Sequence, residues 1–133
     1  MNPRSWSFET AVRTVWQEAR GEPDNGKQAV AHVIWNRLRT GRWGKTLAGV
    51  CLAPLQFSGW NAHDPNRAEM ALLPDDDPAL NRCREIFAAA ENEPDPTHGA
   101  TLYYAESVPA PPWTKEMRCC GVFGSQVFYR PKF

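Results

Sequence analysis

The sequence predicts a mostly helical α+β domain, and three observations carry that expectation. Apolar residues recur at three- and four-residue spacing through the first forty positions and again over residues 78–91. Stretches with β character, TLYYA and GVFGSQVFYR, are confined to the last third of the chain. With 133 residues, 42% hydrophobic and 11% aromatic, there is material for one sizeable core but little room for two.

The first helix is expected over residues 7–20, where Phe8, Ala11, Val12, Val15, Trp16 and Ala19 form one stripe and Ser7 is placed to cap. Gly21 stops it and Pro23 enforces the stop. A second helix over about 26–40 turns Ala29, Val30, Val33, Ile34 and Leu38 inward, with Asp24 or Asn25 as cap and Gly41 as terminator. The connection is short, so the two should be packed neighbours. Residues 46–51 suit a short helical turn before Pro54, and PLQFSGW reads as an extended segment or loop.

DPNRAEMALLPDDD then reads as a loop with at most a short helix. Asp77-Pro78 opens a helix to about Glu91, with Leu80, Cys83, Ile86, Phe87 and Ala90 on one face. The run Asp75 to Asp77 is expected to cap that helix and complement its dipole, not to bind a metal. After EPDPTHGA come TLYYA, a proline-rich elbow VPAPPW, and GVFGSQVFYR, giving two β-capable pieces that can pair.

Charge excludes some functions. Fifteen Lys/Arg balance fifteen Asp/Glu, although residues 1–49 are net basic, 50–98 net acidic and 99–133 weakly basic, so a general grip on nucleic acid is not expected. No run of eighteen apolar residues suits a membrane span, and MNPRSWSFET lacks the pattern of a signal peptide, which leads to the expectation of a chain made in the cytoplasm. Cys51, Cys83, Cys119 and Cys120 fit no metal or redox spacing and are expected as buried or half-buried thiols, a disulfide between distant members remaining an alternative. His32, His63 and His98 form no ligand pair, and no Ser-His-Asp motif is present, so neither metal nor cofactor is expected.

Two carboxylates stand out in VWQEARGEP. Glu18 projects from the border of the apolar stripe, where partial burial and the negative end of the helix dipole push its pKa above the ordinary value of about 4.3, as a general acid requires. The alternative is an ordinary ion pair with Arg13, Arg20 or Lys27. Glu22 lies past the glycine, where it can cap the second helix, reach back to Arg20 or act as a second site carboxylate.

VWQEARGEPDNGKQAVAHVIWNRL, LAGVCLAPLQFSGW, DPTHGATLYYAES and GSQVFY, in that order, resemble the SleB/CwlJ-type cell-wall hydrolases, which act on peptidoglycan and include spore-cortex lytic enzymes. The similarity runs from about Ala11 to Tyr129. It rests on the Glu-Ala-Arg-Gly-Glu helix end, the Asn36-Arg37 pair, the Gln56-Phe57-Ser58 triplet and the Tyr103-Tyr104 pair. The resemblance implies a lysozyme-like fold related to lytic transglycosylases. It also implies cleavage of the β-1,4 bond between N-acetylmuramic acid and N-acetylglucosamine, with Glu18 as general acid. Where the family commonly has a His in its last motif, this chain has Gln126.

Glycan binding needs flat apolar faces and directional hydrogen bonds, which Gln56, Phe57, Ser58, Tyr103 and Tyr104 offer together with Glu22. One of the two tyrosines should instead face the core, because strand neighbours point opposite ways. Trp43, Trp60 and Trp113 lie in expected loops, suited to stacking on sugars or to rim packing. A hydrolysing muramidase would need a second carboxylate, Glu22 or Asp64, to position water, whereas a transglycosylase would not. A silent glycan-binding or particle-assembly module is the rival outside enzymes. The expected setting is a monomer acting on peptidoglycan strands after release by a holin or delivery in a particle, as a phage endolysin would.

Overall fold

A computed structural model describes residues 3–53, 60, 64 and 66–132. Among them five α-helices precede a small sheet: α1 (Pro3–Ala19), α2 (Asp24–Thr40), α3 (Leu47–Leu52), α4 (Asn66–Leu72) and α5 (Pro78–Ala90), then β1 (Leu102–Ala105), a 3-10 turn at Pro112–Glu116, β2 (Met117–Phe123) and β3 (Gln126–Pro131).

The helix α1 begins four residues earlier than its apolar stripe suggests. Ser7 therefore lies inside the helix, and its Oγ accepts from the Ala48 backbone N–H at 2.8 Å, tying α3 to α1 instead of capping. The expected cap of α2 also differs: Pro23 occupies the cap position with no side-chain bond, and Asp24, already helical, pairs with Arg82 at 2.6 Å. A proline in extended geometry starts the helix without a capping side chain, leaving the acidic first-turn residue to the dipole and to α5. Gly41 terminates α2 as expected, at φ 72° with its N–H on the Leu38 carbonyl. Thr46 caps α3 through the Gly49 N–H at 2.9 Å, and Asp77 caps α5 through the Leu80 N–H at 3.0 Å with Pro78 in the first turn.

The apolar stripes converge on one core. Phe87 of α5 sits at its centre, stacked on Trp35 of α2 at 4.7 Å and met edge-on by Phe8 of α1 at 5.3 Å, while the Trp35 indole N–H donates to the Phe87 carbonyl at 2.9 Å. Burying a side chain of this size stabilises by roughly 1.5–3 kcal/mol. Phe128, fully buried, carries the middle of β3 into the same core.

GVFGSQVFYR is not one β piece. It contains the end of β2 and all of β3, joined by a two-residue turn at Gly124-Ser125. Gly124 has φ 61°, a left-handed value that opens such hairpins at glycine. Both outer strands pair antiparallel with β3, so the order is β1-β3-β2 and the last strand in sequence is central. The start of β2 at Met117 was not expected, because MRCC lacks clean alternation and a register shift between Cys119 and Gly121 breaks the period. All four cysteines are free; Cys51 and Cys83 are buried and Cys120 half-buried, but Cys119 is exposed, contrary to expectation.

The adjacent Asn36 and Arg37 of α2 fasten the sheet's entry. Asp95 accepts from Thr97 N–H, Thr97 Oγ, Gly99 N–H and Asn36 Nδ2 at 2.7–2.8 Å. Partial burial opposes its charge, but these donors outweigh burial and hold its pKa below the usual carboxylate range. Arg37 Nε donates to the Thr101 carbonyl at 2.8 Å, immediately before β1.

Candidate active site

Glu18 stands in the last turn of α1, and its Oε1 accepts a 2.6 Å hydrogen bond from the Tyr103 hydroxyl. Strand alternation decides which tyrosine does this. Tyr103 shares a face with its cross-strand partner Phe128, on which it stacks at 5.1 Å, and that face looks onto the helices. Tyr104 points the other way and packs with Tyr129 at 5.9 Å and Trp113 at 6.1 Å.

Burial is the largest influence on Glu18 and raises its pKa. The Tyr103 hydrogen bond and the positive charge of Arg37 act against that rise, and the negative charge of Asp64 adds to it. The Tyr103 phenol is pushed well above its ordinary value, first by burial and then by Glu18, so it remains a donor. Arg37, 4% exposed, lies with its guanidinium 4.2 Å from the Trp43 ring centroid. The fourth wall is Cys51 on α3, whose thiol burial pushes up to about 12, so it stays neutral and is no nucleophile.

The surface-pair alternative for Glu18 does not hold, because its three candidate partners are engaged elsewhere. Arg13 pairs with Asp75 at 2.7 Å, Arg20 pairs with Glu69 at 2.6 Å and stacks on Trp16, and Lys27 donates to the Glu22 carbonyl. What remains is a half-buried carboxyl bonded to a phenol.

Glu22 neither caps α2 nor reaches Arg20. Its Oε1 accepts from the Ser125 backbone N–H at 3.0 Å and from the Ser125 hydroxyl at 2.6 Å, at the tip of the β2–β3 turn. Gln126 follows, on the Tyr103 face of the sheet opposite Ala105, with a buried Oε1 that has no hydrogen-bond partner. Gln56, Phe57, Ser58 and His63 lie outside the described residues. Trp60 is half-buried and donates to Thr14 Oγ at 2.7 Å, so its indole is fixed beside α1. Trp113 packs under Tyr104 and Tyr129.

Arg37 is a site residue that the sequence expectations leave out, although its place four residues after Val33 and three after Ile34, on the apolar face of α2, is a signal for a buried charge. Among the described residues no group of three His, Cys, Asp or Glu side chains could hold a metal ion, and no helix is long and apolar enough to cross a membrane.

The chain and its fold have counterparts. The chain is 33% identical over 102 residues to a spore cortex-lytic enzyme of Halalkalibacterium halodurans and 32% identical over 106 residues to one of Bacillus subtilis, each match covering 77% of this chain. It spans 28% and 30% of those relatives' lengths. The structure is similar to the catalytic domain of the Bacillus cereus SleB protein, with a TM-score of 0.76 and 25% identity over 93% of this chain and 89% of that one. It is equally similar, at TM-score 0.76 and 24% identity, to the catalytic domain of the germination-specific lytic transglycosylase SleB from Bacillus anthracis, covering 98% and 97%. The lysozyme-like α+β fold is thus shared. A family model described as cell wall hydrolase matches residues 21–129, beginning three residues after Glu18 and including Glu22, Arg37 and Tyr103. The chain belongs to the cell wall hydrolase family.

Proposed function

We propose that this chain cleaves the β-1,4 bond between N-acetylmuramic acid and N-acetylglucosamine in peptidoglycan by the lytic-transglycosylase route, with Glu18 as acid and then base. The observation that carries this reading is the Glu18 carboxyl, raised in pKa by burial and hydrogen-bonded through Oε1 to a phenol that stays protonated.

Because Oε1 accepts from Tyr103, the acidic proton is carried by Oε2. Glu18 gives that proton to the glycosidic oxygen as the bond to C1 breaks. The muramic acid 6-hydroxyl then closes on C1 and returns its proton to the carboxylate, leaving a 1,6-anhydro end and a regenerated acid. Tyr103 and Arg37 stabilise the carboxylate in the interval between the two transfers.

A hydrolysing muramidase is the second reading, favoured by Asp64, whose charge is felt at Glu18 and which could orient a water. Mass spectra of muropeptides released from purified murein separate the two: 1,6-anhydro ends support the first, and reducing muramic acid ends support the second. In either case sugar contacts are assigned to Gln56, Phe57 and Ser58, whose polar and aromatic groups suit N-acetyl sugars. For the setting we propose wall lysis after holin release or particle delivery. Co-expression tests this, with cultures lysing only when chain and holin are both made.

A further inference from the structure

We propose that Glu22 is a positioning residue: its carboxylate latches the β2–β3 turn to the α1–α2 corner and thereby holds Tyr103 against Glu18. This rests on the role proposed for Glu18. The latch is a two-donor contact, with Ser125 N–H and Oγ both on Oε1, between residues 103 apart in sequence. Its surroundings leave little slack. A Cβ on Gly26 would sit 3.0 Å from Glu22 Cβ, and one on Gly124 would sit 3.1 Å from Glu22 Oε1 and 3.3 Å from Pro23 Cδ. The corner itself is closed by the Glu22 N–H on the Ala19 carbonyl at 2.9 Å and by Lys27 on the Glu22 carbonyl.

From the turn the constraint runs along β3. Ser125 leads into Gln126, and two residues on Phe128 lies opposite Tyr103 and stacks on it. The sheet is therefore held along its length: Arg37 fastens the entry to β1 at Thr101, Glu18 meets Tyr103 within β1, and Glu22 in the α1–α2 corner holds the turn end at Ser125. Arg37 and Phe128 act on the entry to β1 and on the middle of β3, whereas the Glu22 latch acts on the turn end. With both ends of β1 and its partner held, Tyr103 keeps its oxygen 2.6 Å from the Glu18 carboxyl.

A positioning role differs from a reacting one in what a neutral amide can replace. Both Ser125 donors need only an acceptor oxygen, which Gln supplies as well as Glu, whereas a base or nucleophile needs the charge.

The test pairs murein cleavage with a carbon-13 NMR titration of Glu18 in protein labelled at its glutamate carboxyls. Glu22→Ala should lower kcat about 10- to 100-fold with little change in KM and move the Glu18 midpoint upward as the Tyr103 bond loosens. Glu22→Gln should restore both. Should Glu22→Ala fail to fold, Ser125→Ala, which keeps the backbone donor, should give smaller changes in the same directions. A Glu22→Gln protein as inactive as Glu18→Gln would overturn the proposal by placing Glu22 in the chemistry. A Glu18 titration unmoved in both Glu22→Ala and Ser125→Ala would overturn it as well. If the native protein cleaves no murein, the reading of Glu18 fails, while the titration still decides the latch.

Discussion

At Glu18, burial and the charge of Asp64 favour the neutral acid, while Tyr103 and Arg37 favour the carboxylate. The role proposed for Glu18, giving a proton and taking it back in one turnover, needs both forms within reach. Glu18→Gln should therefore lower murein cleavage by about 100- to 10,000-fold while circular dichroism shows an unchanged fold. Tyr103→Phe tests the other side of the balance. Losing a donor to the carboxylate raises the Glu18 pKa further, so the alkaline limb of the pH–rate profile should move to higher pH as kcat falls. The groups facing Glu18 through that titration are Arg37 on α2, the neutral Cys51 on α3, Asp64 ahead of α4 and Tyr103 on β1. Periodicity alone placed Glu18 at the edge of an apolar stripe. It could not find the phenol 85 residues away, because strand register is set by pairing and not by anything local to either residue. The family resemblance supplied the tyrosine pair, and the face of the strand then chose between them.

Among the elements, legibility followed how local the cause was. The Asp77-Pro78 start of α5, the Thr46 start of α3 and the Gly41 end of α2 are decided within three or four residues, and each is found where the chain suggests. Asp77→Ala should accordingly lower stability by about 1 kcal/mol in urea titrations. Ser7 and Asp24 are engaged by Ala48 and Arg82, distant in sequence, so local signals misassigned them as caps. A residue whose environment is the convergence of three helices should weigh more than any cap: Phe87→Ala should cost about 3–5 kcal/mol, measured by the same titrations.

The whole molecule reads Glu18 as a stability term. Its folded pKa is raised above the unfolded value, so the native state holds the proton more tightly. That contribution is complete below the unfolded pKa and is lost as pH rises through the raised folded value. Asp95, lowered in the fold, has the opposite dependence, losing stability as pH falls. Thermal midpoints of the native protein and Glu18→Gln across pH isolate the first term, and the variant should gain relative stability toward alkaline pH. The uneven charge of the sequence also acquires a meaning at this scale. The basic first segment and the acidic middle one are joined by Arg13–Asp75, beyond the end of α4, and by Arg20–Glu69, within it.

The central position of β3 sets a timetable. Glu18 is on α1, yet Tyr103 sits on an edge strand that, among the described residues, pairs with β3, the last of the three strands in sequence. Until residues 126–131 emerge, β1 lacks the strand it pairs with in the fold, and Tyr103 is not yet held beside the carboxyl. As the chain is made from Glu18 onward, the Glu18–Tyr103 contact thus waits for β3, and neither α1 nor β1 alone can assemble it.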